Sequence, residues 1–342
     1  MSAANFIFNP FAPGPADWLD TAAAIARSGD RCVLIFVARH LGSTPRETGT
    51  WALVSDRQCL GTLGGGDIER IAIGEARDLL AGRKDWARTL EEFRLGPELG
   101  QCCGGTMTAV FEPVDQGSVE WLAQADLQRR QGYVLFPVSE GESRPRVMQG
   151  NVPENLTNFG RLHVQPLADA RPRIALYGCG HVGRAFVIMA TQLPVRLDVI
   201  DERPEALAHI SYAPNVRALH RDNPVSHARQ LADTDGVLIM THNHALDFRL
   251  CQMVLENNEI SYIGLIGSLS KAARFRSALR HGGFSSDMVA RLTCPIGSGS
   301  VVGKEPGVIA VAGWSEILQV LGENRSNGPH KAELLETWKR ES

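Results

Sequence analysis

One stretch limits the fold of this chain more than any other. Ile174 to Tyr177 is a short apolar run, followed at once by Gly178-Cys179-Gly180-His181-Val182-Gly183. A helical pattern continues to residue 190, and a second apolar run, Leu197 to Ile200, closes on Asp201. Strand, three spaced glycines, helix, then a strand ending in an acid is the dinucleotide-binding pattern. In that pattern the first glycine makes the turn, the second admits a pyrophosphate and the third lets helix pack on strand, while the acid is placed to bind a ribose hydroxyl. The expectation is an α/β unit built on a doubly wound parallel sheet, with Gly178, Gly180, His181, Gly183 and Asp201 facing a ligand. Arg203, two residues on, is either a partner for a phosphorylated ribose or a solvated side chain.

The following residues keep the same alternation. A helix is expected over 225–231, a strand over 236–240, a helix over 245–256, a strand over 262–266 and helices over 269–281 and 308–321. Ligands of such sheets lie beyond the C-terminal strand ends. The glycine loop, Asp201, His242, His244 and Ser268 all follow expected strands, so they should line one crevice. His242, His244 and Asp247 are candidate ligands for zinc or iron, although a histidine pair on such a turn more often hydrogen-bonds. A dehydrogenase needs an acid or base near its nicotinamide. His242 and Lys304 are the candidates, and nothing singles either out. No serine stands in a nucleophile elbow.

The first half carries different chemistry. A helix over 15–27 with Gly29 as C-cap precedes strands over 32–37 and 51–54. Gly42-Ser43-Thr44-Pro45-Arg46 reads as an anion-accepting turn or an ordinary one. Gly64-Gly65-Gly66 precedes a helix carrying Ile68, Ile71, Ala72, Ala76, Leu79 and Leu80. Its free N–H groups suit an anion, with a tight connection capped by Asp67 as the alternative. Gln101-Cys102-Cys103-Gly104-Gly105 sets two thiols side by side. Their Cα atoms are about 3.8 Å apart, shorter than an unstrained disulfide prefers. The pair is either a soft nucleophile or metal ligand, or a buried turn. A strand over 106–111, a helix over 117–130 and a strand over 133–138 follow.

A length of 342 residues suits two domains. The divisions expected are 1–138, a linker over 139–172 that is rich in Gly, Pro, Asn and Glu and holds short strands such as one around Leu162 to Val164, a parallel-sheet domain over 173–321, and a polar tail over 322–342. A net charge of -3 and the lack of a basic run give no support to a nucleic-acid partner. No apolar stretch approaches membrane-spanning length, and residues 1–14 lack the charged and apolar regions of a signal peptide. With seven scattered cysteines, a reducing cytoplasm is the expected setting.

Together these motifs resemble the XdhC/CoxI family, the accessory proteins of xanthine dehydrogenase and related molybdenum hydroxylases. The resemblance rests on Gly42 to Arg46, Gly64-Gly65-Gly66, the dicysteine loop, the 178–183 glycine loop and Met240-Thr241-His242-Asn243-His244-Ala245-Leu246-Asp247. It continues through Gly264-Leu265-Ile266-Gly267-Ser268, Cys294-Pro295-Ile296-Gly297 and Gly303-Lys304-Glu305-Pro306. One departure is Thr50-Trp51, bulkier than the small residues the family sets after Gly49. The resemblance implies a Rossmann-like second domain beside a separate N-terminal α/β domain, and a cofactor chaperone rather than a turnover enzyme. It implies binding of molybdenum cofactor (molybdopterin), protection while a cysteine desulfurase installs its terminal sulfur, and delivery to the apo-dehydrogenase by a homo-oligomer. Cys102 or Cys103 would then meet the molybdenum end. Arg46, Gly64 to Gly66, Gly104, the Rossmann residues, Ser268 and Lys304 would hold the rest, with a dinucleotide as the other ligand for the Rossmann crevice. A nicotinamide-dependent oxidoreductase and a metal-dependent hydrolase are the alternatives.

Overall fold

The structure, a computed structural model, describes residues 7–8, 14, 16–95, 104–139, 141, 144–150, 162–169, 171–210, 213–297 and 303–326. The chain forms two compact units that divide between Ala170 and Arg171.

The first unit runs Ile7–Phe8 (β1), Trp18–Ser28 (α1), Cys32–Leu41 (β2), Trp51–Ser55 (β3), Gln58–Gly61 (β4), Gly66–Leu80 (α2), Thr89–Arg94 (β5), Thr106–Val114 (β6), Val119–Leu127 (α3), Gly132–Pro137 (β7), Arg146–Gln149 (β8) and Leu162–Pro166 (β9). Its main sheet has the order β1-β4-β3-β2-β6-β5 and is antiparallel apart from the β1–β4 pair. Central β2 is covered on both faces, which is why it reads as a continuous apolar run. Val33, Ile35 and Val37 share a core with Ile68, Ala72 and Ala76 of α2. Leu34 and Phe36 meet Trp18 and Leu19 of α1, Leu122 of α3 and Phe136 of β7. Helix α1 stops at Gly29, whose φ of 81° lets its N–H reach back to Ala26.

The linker expected over 139–172 is corrected here. β8 and β9 lie inside it and flank β7 in a three-stranded antiparallel sheet. β9 contains the short strand expected around Leu162 to Val164, and its two buried positions are polar, His163 and Gln165. These satisfy each other, with 2.9 Å between His163 Nε2 and Gln165 Oε1, and the imidazole stacks on Phe36 at 4.4 Å between centroids. β5, which buries only Phe93 among its six residues, and β4, which buries only Cys59 among its four, have too few buried positions to show an alternation.

This burial has a pH signature. Desolvation pushes the His163 imidazole down to about 4 from its usual 6.5, against a smaller opposing effect of the Gln165 bond. The unfolded chain therefore binds the extra proton over that window, and native stability falls as pH drops from about 6.5 to about 4. At about 1.4 kcal/mol per pH unit the loss reaches roughly 3 kcal/mol. Chemical denaturation across that range is expected to show this slope, and His163→Gln is expected to flatten it. An unchanged slope in the variant would assign the effect to another group.

The second unit runs Arg173–Tyr177 (β10), His181–Ala190 (α4), Arg196–Asp201 (β11), Pro204–Leu207 (α5), Val216–His220 (β12), Pro224–Arg229 (α6), Gly236–Ile239 (β13), His244–Leu255 (α7), Tyr262–Leu265 (β14), Leu269–His281 (α8), Ser286–Ala290 (α9), Leu292–Thr293 (β15) and Pro306–Ser326 (α10). All six strands are parallel in the order β12-β11-β10-β13-β14-β15. That is the unit's third, second, first, fourth, fifth and sixth strand, the doubly wound order of dinucleotide-binding sheets. Helices cover both faces. Phe186 of α4 and Trp314 and Ile317 of α10 fill one core. Leu250 and Val254 of α7 fill the other with Phe275 and Leu279 of α8. The strand order reverses between β10 and β13, so a crevice opens where their following loops part. Among the described residues no helix is long and apolar enough to cross a membrane.

Candidate functional site

The glycine loop after β10 is built as its spacing demands. Gly178 has φ 102°, and a Cβ there would lie 2.4 Å from the Met240 carbonyl oxygen at the end of β13. A Cβ on Gly183 would lie 2.3 Å from the Gly178 carbonyl oxygen, so only glycine lets α4 approach the strand. Gly180 differs. It caps α4 and is exposed, and nothing lies within 4 Å of the position its Cβ would take. Its open face points a helix N-terminus at the crevice, the arrangement that receives phosphate.

The crevice measures about 630 Å³ and is lined by residues 179–184 together with Arg203, Glu205, Ala206, His209, Met240, Thr241, His242 and Ile266. Its basic side chains are His181, Arg184, Arg203, His209 and His242, against Glu205 as the acid of the lining. This balance favours an anionic ligand. Arg184 and His209 belong to it although no motif marked them. Arg184 adjoins the third glycine, but the position of His209 is set by the β11–β12 connection.

Asp201 does not present itself as a ribose acceptor. Its carboxylate accepts from the Cys179 N–H at 2.8 Å and the Arg203 N–H at 3.0 Å, and from Arg203 Nε and Nη2 at 2.9 Å each. Burial raises its pKa, but these bonds outweigh burial and hold the carboxyl below the usual range. Asp201 braces the glycine loop, and Arg203 is fastened to it.

The histidine pair is divided. His242 lines the crevice, with Nε2 3.8 Å from a Glu202 carboxylate oxygen. His244 is the exposed first residue of α7 and does not line the crevice, so the expectation that both histidines do is corrected. Asp247 is fully buried. It accepts from the Thr241 N–H at 3.0 Å, the Thr241 hydroxyl at 2.6 Å and Lys271 Nζ at 2.7 Å, and Lys271 also donates to the Ile266 carbonyl at 2.9 Å. The metal reading of His242, His244 and Asp247 is thereby overturned, and no cluster of three candidate ligands occurs among the described residues. Sequence reasoning gave Lys271 no role. It ties the loop after β13 to the loop after β14. Ser268 is the N-cap of α8 and accepts from the Lys271 N–H. Lys304 is exposed just ahead of α10.

In the first unit three loops meet. A Cβ on Gly64 would lie 2.9 Å from Pro45 Cβ and 3.2 Å from Arg46 Cγ. A Cβ on Gly105 would lie 2.4 Å from the Leu41 carbonyl oxygen and 2.5 Å from that of Ser43. The 42–46 turn is therefore wedged between the glycine triplet and the residues that follow the dicysteine pair. Cys102 and Cys103 themselves lie outside the described residues. Gly104 and Arg46 are both exposed there.

Gly64, Gly65 and Gly66 all have positive φ, but the loop's anion comes from the chain. Glu69 accepts from the Thr62 hydroxyl at 2.5 Å and from the Leu63 and Gly65 N–H groups at 2.8 and 3.1 Å. Asp67 is not the cap. It lies inside α2 and pairs with Arg70 at 2.9 Å. The bulky Trp51 fits because Gly61 yields to it, where a Cβ would come 2.9 Å from the indole. The remaining described cysteines, Cys32, Cys59, Cys179, Cys251 and Cys294, are buried free thiols.

Comparison with known proteins follows the same division. The profile described as the XdhC Rossmann domain matches residues 174–317, and that of the XdhC and CoxI family matches residues 25–93. A crystal structure from Bacillus halodurans, described as a xanthine dehydrogenase, is similar in fold with a TM-score of 0.70. It is 20% identical, and the match covers 94% of this chain and 99% of that one. The uncharacterized protein YqeB of Escherichia coli (strain K12) is 27% identical over 291 residues, which is 84% of this chain. The chain spans 42% of that relative's length. The two matched profiles fall on the two units in the expected order and between them cover more than half of the sequence, so the chain belongs to the XdhC and CoxI family.

Proposed function

We propose that this protein is a maturation factor that binds molybdenum cofactor, shelters it while a cysteine desulfurase exchanges its terminal ligand for sulfur, and delivers it to apo xanthine dehydrogenase or a related molybdenum hydroxylase. The observation that carries this reading is the crevice at Gly180. It offers a helix N-terminus and basic side chains to a phosphate, while Asp201 is already engaged within the chain. These residues fit the phosphate of a molybdopterin. When bound, the cofactor would bring a dithiolene-held molybdenum, a soft centre suited to a thiolate. Gly180 and the α4 N-terminus hold the phosphate, Arg184 balances its charge, and His181 and His242 offer ring N–H groups to it. A cysteine of the first unit, Cys102 or Cys103, is the proposed source of such a thiolate. The role is that of an accessory protein, without turnover chemistry of its own.

A nicotinamide oxidoreductase is the second reading, favoured by the sheet order and the glycine loop. One measurement separates the two. The protein purified from cells that make the cofactor is expected to carry a pterin fluorophore and molybdenum. Cys102→Ala or Cys103→Ala, correctly folded, is expected to lose molybdenum and the power to reactivate apo-dehydrogenase. A folded double variant that binds and reactivates like the wild type would end this reading. Bound nicotinamide in place of pterin would establish the second.

A further inference from the structure

We infer that Arg203 is a specificity residue that closes the crevice to the adenosine ribose of nicotinamide dinucleotides while leaving its phosphate site open. The inference deepens the phosphate-site reading above and rests on it. Dinucleotide-binding sheets take the ribose diol on the acid that ends their second strand. Here that acid is Asp201, at the end of β11, and it is 4% exposed. An ionised carboxylate has about four acceptor positions. The Cys179 N–H, the Arg203 N–H, Arg203 Nε and Arg203 Nη2 fill four. A ribose diol must break the paired guanidinium bonds, the strongest class of hydrogen bond available here, and it has no positive charge to offer in return. NADP gains nothing over NAD, because its 2′-phosphate would face the Asp201 carboxylate along with the guanidinium. Gly180 faces open space, and Asp201 steadies the loop that carries it. The ligand class that remains is one presenting a phosphate or pyrophosphate without an adenosine ribose seated against β11.

Calorimetric titration of the full chain with pyrophosphate, NAD and NADP tests this. For the wild type, either dinucleotide is expected to bind less than about fivefold more tightly than pyrophosphate. Removing a cation weakens every anion, so the readout for variants is the ratio of NAD to pyrophosphate affinity. In Arg203→Ala that ratio is expected to rise about tenfold, because the carboxylate is freed for the diol. In Arg203→Ala/Asp201→Asn the gain is expected to vanish. A wild-type ratio of about fivefold or more for NAD or NADP, an unchanged ratio in Arg203→Ala, or a gain that survives Asp201→Asn would each overturn the inference while leaving the phosphate site standing. Failure of the wild type to bind pyrophosphate would instead remove the phosphate site, and with it both this inference and the reading it rests on.

Discussion

Gly178→Ala is expected to lower the stability of the second unit by about 4 kcal/mol. Two causes act together. The backbone at φ 102° disfavours any side chain, and the new methyl would lie 2.4 Å from the Met240 carbonyl oxygen and 2.7 Å from its carbonyl carbon. Positive-φ strain and overpacking each cost about 1–3 kcal/mol. The melting temperature of a unit this size should fall by roughly 10 °C. Gly180→Ala is the control. Its φ of -75° suits alanine and its methyl would enter open space, so the fold should melt with the wild type while affinity for a phosphate ligand is lost. Thermal denaturation of both variants beside pyrophosphate titration decides the matter. A Gly178→Ala protein that melts with the wild type would show that the turn can relax. Full affinity in Gly180→Ala would move the phosphate elsewhere.

Lys271→Met is expected to be comparably damaging. The Asp247 carboxylate is fully buried and the Lys271 side chain is 10% exposed, with 2.7 Å between them. Removing one partner leaves the other's charge desolvated and unpaired, which costs about 3–5 kcal/mol. The loss also releases the bond to the Ile266 carbonyl, so the loops bordering the crevice come apart. Lys271→Met/Asp247→Asn removes the orphaned charge but keeps an acceptor for Thr241, and should recover much of the loss. If the single variant unfolds no sooner than the wild type, the pair is not what joins those loops.

The doubly wound unit was legible because its determinants are local. Short apolar runs, a glycine triplet of fixed spacing and an acid at a strand end lie within about thirty residues of one another, and helix 269–281 was found residue for residue. The first unit was legible only in its most buried parts. β2 announces itself because both its faces are covered. β4 and β5 do not, since each buries a single side chain, Cys59 and Phe93.

The motifs were likewise right about place and less so about role. The order of glycines, Asp201 and His242 determined that a crevice exists at the strand ends and that Gly180 opens onto it. The sequence could not say that Arg203 closes on Asp201, that Glu69 fills the triple-glycine loop, or that Asp247 belongs to Lys271 rather than to a metal. Each of these depends on which donor comes within hydrogen-bond reach of the carboxylate once the backbone has turned. Spacing along the chain fixes strands, turns and caps, because these are made by near neighbours. Asp247 meets Lys271 through the packing of α7 beside α8, and Asp201 meets Cys179 across two strand ends. Arg203 and the partners of Glu69 are near neighbours whose choice depends on how each loop turns, so the role of each carboxylate was decided only in the folded unit.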